Sequence, residues 1–63
     1  MADLFPPSID DQIAEAEREL AMRRHAYPRW VASGTLKADR AERQVKAMEA
    51  ILDTLRAVKA RGQ

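Results

Sequence analysis

Apolar side chains recur along this chain at intervals that alternate between three and four residues, in two stretches. In the first, Ile9, Ile13, Ala16, Leu20, Arg23, Tyr27 and Trp30 follow a 4-3-4-3-4-3 rhythm. In the second, Ala38, Ala41, Val45, Met48, Leu52, Leu55 and Lys59 follow 3-4-3-4-3-4. Such spacing puts each set on one stripe of an α-helix and is the seam pattern of packed helices. Nothing alternates with the period of two that a half-buried strand requires. The fold class expected is therefore all-α.

Punctuation along the chain sets the element boundaries. Residues 1–8 read as an extended N-terminal arm, because Pro6-Pro7 disfavours helix ahead of it. Ser8 followed three residues later by Asp11 resembles a capping box, and Asp10 and Asp11 suit the positive end of a helix dipole. Helix one is expected over about 9–32. Pro28 would normally end it, but Trp30 keeps the phase of the seam, so a continuous helix kinked at Pro28 is expected, closed by Gly34. A turn at 33–36 leads into helix two at about 37–60, and 61–63 is a frayed tail.

Two helices of about 36 Å joined by so short a turn must run antiparallel. Facing positions then share a constant index sum. The two seams match on a sum of 68, pairing Ile9 with Lys59, Ile13 with Leu55, Ala16 with Leu52, Leu20 with Met48, Arg23 with Val45, Tyr27 with Ala41 and Trp30 with Ala38. Large residues meet small ones, as interdigitating packing demands. One apolar set is left over. Met48, Ile51, Leu55 and Val58 make a second ridge on helix two, too wide for one facing helix to cover. The expectation is an antiparallel hairpin that pairs into a homodimeric four-helix bundle through this ridge.

Composition narrows the class. The chain has 63 residues, no cysteine, two glycines and a net charge of +1. It is too short for two domains or for an enzyme scaffold with a deep pocket. Without thiols it is neither a disulfide-stapled miniprotein nor a thiolate metal module. Twelve of its apolar residues are alanine, leaving 17 larger ones counting Met1. So small a core is marginal alone, which again favours a partner. No run approaches a membrane span and the N-terminus lacks the features of a signal peptide, so a cytoplasmic location is expected. The charge is unevenly spread. Residues 1–20 hold six acids and one base, and residues 21–46 hold seven bases and two acids.

Candidate chemistry is sparse. His25 is the only histidine, with no second ligand at metal spacing and no partner for acid–base work. Glu15 and Glu19 read as a solvated face. No phosphate loop, nucleophile elbow or HExxH occurs. No catalytic residue, cofactor or metal is expected, and the chain reads as non-enzymatic. The sharper candidate is the basic middle, where Arg24, Arg29, Lys37, Arg40 and Arg43 surround Trp30 near the closed end. Arginine beside aromatics suits a protein hot spot or a nucleic-acid surface. Against that stand three favourable i,i+4 pairs, Glu19–Arg23, Asp39–Arg43 and Glu42–Lys46, which would occupy part of the charge.

The run Glu17-Arg18-Glu19-Leu20-Ala21-Met22-Arg23-Arg24, then Tyr27-Pro28-Arg29-Trp30-Val31, Gly34 and Met48-Glu49-Ala50-Ile51-Leu52 resembles small uncharacterised helical proteins of phage and prophage genomes. The likeness covers about residues 9–56. In those proteins a Thr or Ser opens the second helix, whereas Lys37 stands near that place here. The resemblance implies a phage accessory role and assigns no functional residue. The functional expectation is a homodimeric interaction module that binds or inhibits a host or phage protein, in an anti-defence or regulatory capacity. A nucleic-acid or nucleotide binder using the basic tip is the alternative.

Overall fold

The computed structural model describes residues 6–62. It contains two helices, α1 over Ile9–Ala32 and α2 over Ala38–Ala60, and no strand among the described residues. They pack against each other as a hairpin. Residues 1–5 of the expected arm lie outside the described residues, while Pro6, Pro7 and Ser8 are non-helical.

Local chemistry explains both starts. At α1, the Ser8 hydroxyl accepts from the Asp11 amide at 3.0 Å and the Asp11 carboxylate accepts from the Ser8 amide at 3.2 Å. Two otherwise orphaned donors are thus satisfied reciprocally. Gln12 adds a bond from its Nε2 to the Pro7 carbonyl at 3.2 Å. At α2, the N-cap is Lys37, whose side chain makes no capping bond. Helix two therefore opens one residue later than the spacing suggested, with the Asp39 carboxylate accepting from the Arg40 amide at 2.9 Å.

Helix α1 continues through Pro28. A proline has no N–H for the carbonyl four residues back, so one rung of the ladder is absent there. The helix closes at Ser33, and Gly34 follows at φ 81°, in the left-handed region that glycine enters at little cost. The chain then folds back over the end of α1. The amides of Thr35 and Leu36 both donate to the Trp30 carbonyl, at 2.8 and 3.1 Å.

The core lies along the seam in two clusters. Ala16, Leu20, Met48 and Leu52 form one, flanked by Ile13, Val45 and Leu55. Ala26, Tyr27 and Ala41 form the other, flanked by Val31, Leu36 and Val45. The tip departs from the expected seam. The spacing predicts Trp30 facing Ala38 in the core, but the indole is 41% exposed and Ala38 is exposed as well. Helix α2 begins only at Ala38, so no further helical turn covers the indole. Ala26 and the turn residue Leu36 pack there instead, and Trp30 leans on Tyr27 with ring centroids 5.4 Å apart.

Candidate interaction surface

The flank of the hairpin that carries Glu17 and Arg24 is closed by ions. Arg24 donates to Glu49 at 2.6 Å and Arg56 to Glu17 at 2.8 Å, both across the two helices. Lys59 joins Asp10 at 2.6 Å near the open end. These pairs are exposed, so each contributes little stability. Their consequence is positional: α2 is tied to α1 along most of its length on this side. Above them lies a shallow apolar groove of about 600 Å³ whose floor includes Tyr27, Pro28, Val31 and Val45.

The opposite flank is different. Helical phase carries Glu15, Glu19 and Ala26 to one side of the α1 seam, and Gln44, Ala47 and Ile51 to the matching side of α2. Ile51 is 48% exposed, the largest value among the exposed large hydrophobics Met22, Trp30 and Ile51. It sits in a shallow recess with Met48, Leu55 and the side chains of Gln12, Glu15 and Glu19. Of the expected ridge, Met48 belongs to the seam, where its pairing with Leu20 was also expected, and not to the outward face. It is 7% exposed within the single chain, because it fills the seam opposite Leu20. Leu55 and Val58 are half-buried, so Ile51 is the residue that reaches outward.

The basic set also divides. Arg24 is engaged by Glu49, and Arg43 reaches Asp39 at 3.4 Å. Arg29, Lys37 and Arg40 have no ion-pair partner among the described residues. Lys37, Arg40 and Arg43 line one recess with Gly34, Thr35 and Leu36, which Arg24 does not reach. All three expected i,i+4 pairs are present, Glu19–Arg23 at 2.9 Å, Asp39–Arg43 at 3.4 Å and Glu42–Lys46 at 3.5 Å.

Arg23, the polar member of the seam, is satisfied within its own chain. Its Nε donates to Glu19 and its guanidinium to the Gln44 carbonyl at 2.8 Å. Gln44 is the residue that sequence reasoning missed. Its backbone holds Arg23 while its Oε1 accepts from the Tyr27 hydroxyl at 2.9 Å. No group of His, Asp and Glu among the described residues is placed to hold a metal ion, and no described helix is long and apolar enough to cross a membrane. No protein-family model, curated protein or solved structure matches the chain.

Proposed function

We propose that this chain is a non-enzymatic protein-interaction module that self-associates through the Ile51 flank into a four-helix bundle. The observation that carries the reading is Ile51, 48% exposed beside the half-buried Leu55 and Val58. An apolar ridge of this kind on so small a protein gains from removal from water, about 25 cal/mol per Å² buried. A bend of α1 at Pro28 belongs to the same reading, supported by the missing backbone rung. The likeness to small phage proteins makes a host or phage protein the natural further partner, engaged through Trp30 and the cations beside it, in a regulatory or anti-defence role. The cytoplasm is the proposed location.

Sedimentation or light scattering tests the association directly. The expected mass is twice the 7.1 kDa of the chain, falling to the monomer in Ile51→Glu with helicity retained. A wild-type chain that stays monomeric at millimolar concentration removes the reading. The alternative, nucleic-acid binding at the tip, draws support from Arg29, Lys37 and Arg40, which lack ion-pair partners among the described residues. It requires a gel shift at low salt whose affinity falls steeply as salt rises.

A further inference from the structure

We infer that the two copies dock antiparallel, so that the basic closed end of each hairpin lies over the acidic open end of the other. This rests on self-association through the Ile51 flank and adds its orientation. Charge complementarity is the argument. The closed end, residues 21–46, holds seven bases against two acids. The described open end, residues 6–20 and 47–62, holds seven acids against four bases.

The unpaired bases are concentrated at the closed end. At the closed end Arg29, Lys37 and Arg40 have no ion-pair partner among the described residues; at the open end Asp11, Asp53 and Arg61 have none, but Asp11 caps α1 and Asp53 lines the opposite flank with Arg24 and Arg56, which leaves Glu15 as the acid beside Ile51. The one ion pair of Glu15 among the described residues, to Arg18 at 3.4 Å, is exposed and within the same helix turn. The helices are about 36 Å long and the screening length is about 8 Å at physiological salt. Each end therefore responds to what lies over it, and not to the distant end. A parallel dimer would stack the two basic ends on each other.

The register is legible as well. Arg40, Gln44, Ala47 and Ile51 follow a 4-3-4 spacing along one stripe of α2. Ala47 is small and exposed, which lets two backbones approach near a two-fold axis. On the index sum of 68, Ala47 stands level with position 21 of α1 and Arg40 with position 28. An axis at Ala47 then brings Arg40 of one copy to the height of Glu15 of the second copy. Trp30 of each copy comes over the Leu55 level of the other.

The absence of cysteine makes the test clean. A spin label on Thr35→Cys, at the exposed turn, reports the distance between the two closed ends. An antiparallel dimer gives roughly 35–40 Å from the 1.5 Å helical rise. A parallel dimer, with tips at helix-packing distance, gives about 10–20 Å. A dimer with the short distance overturns the orientation alone, whereas a monomer by scattering with no dipolar coupling overturns the self-association itself. Charge reversal gives an independent reading. Arg40→Glu is expected to weaken dimerisation about two- to fivefold, and adding Glu15→Arg to restore it. Dimerisation unchanged by either substitution, or strengthened by added salt, overturns the proposal.

Discussion

The Tyr27 hydroxyl donates to the Gln44 side-chain carbonyl at 2.9 Å across the two helices. Tyr27 is buried, so its ring belongs to the core while its oxygen must find a partner. Gln44 supplies that partner, and its backbone carbonyl receives the Arg23 guanidinium one turn below. The pair locks the register at the closed end, where an apolar contact alone would slide. Tyr27→Phe keeps the ring and removes the bond. The expected cost is about 0.5–1.5 kcal/mol. Thermal unfolding should show it as a fall in Tm of several degrees, since 1 kcal/mol moves a domain of this size by about 4–8 °C.

The seam pairs Ala16 with Leu52 and Leu20 with Met48 were legible because the apolar period of a helix survives in the order of residues, and these four form one buried cluster. The ion pairs across the helices were legible in principle by the same arithmetic. Glu17 with Arg56 and Arg24 with Glu49 share an index sum of 73, one flank away from the seam. They lie off the apolar seam, so the apolar period does not mark them. Trp30 marks where periodicity stops determining burial. Its phase fits the seam, but phase says nothing of where the facing helix begins, and Ala38 is too close to the start of α2 to cover an indole. The fold-back of Thr35 and Leu36 onto the Trp30 carbonyl depends on turn geometry that no periodicity encodes. The spacing placed Met48 both in the seam and on the outer ridge, and only packing in three dimensions decides between them, with Met48 buried against Leu20.

Gly34 turns the chain at φ 81°, and a Cβ built there meets nothing within 4 Å. Any loss on substitution therefore comes from the backbone alone. Gly34→Ala is expected to destabilise by about 1 kcal/mol, the cost of the left-handed conformation for a residue with a Cβ. Gly34→Asn should cost less, because asparagine enters that region more readily. Equal losses for the two in chemical denaturation would show that the turn relaxes to another conformation.

The start of α2 is a place where stability can be added. Lys37 holds the N-cap position without a capping bond, and its positive charge sits at the positive end of the helix dipole. Lys37→Ser supplies a hydroxyl that can accept from the Asp39 amide, the Arg40 amide being held by the Asp39 carboxylate, and removes the charge. A gain of about 0.5–1 kcal/mol is expected from the range for N-cap exchange. The measurement is the urea midpoint, which should rise with an unchanged m-value.

Two adjacent residues separate folding from the proposed association. Leu52 is 2% exposed and packs in the seam cluster with Ala16, Leu20 and Met48, whereas its neighbour Ile51 is 48% exposed on the outer flank. Leu52→Ala leaves a cavity in the smallest of cores, and the usual cost of about 2–5 kcal/mol is comparable with the whole stability of a chain this size. Loss of the far-ultraviolet helical signal at 25 °C is the expected outcome. Ile51→Ala removes as many atoms but opens no cavity in the single chain. At low protein concentration it should alter stability by no more than about 0.5 kcal/mol, as surface changes do. Its effect should appear with concentration. Under the proposed self-association, which only folded chains undergo, the wild-type Tm is expected to rise with protein concentration, and in Ile51→Ala that rise should be flattened. Identical concentration dependence in the two proteins would place the interface away from Ile51. The contrast between neighbours one position apart ties the measurement to the face of the helix, not to the helix as a whole.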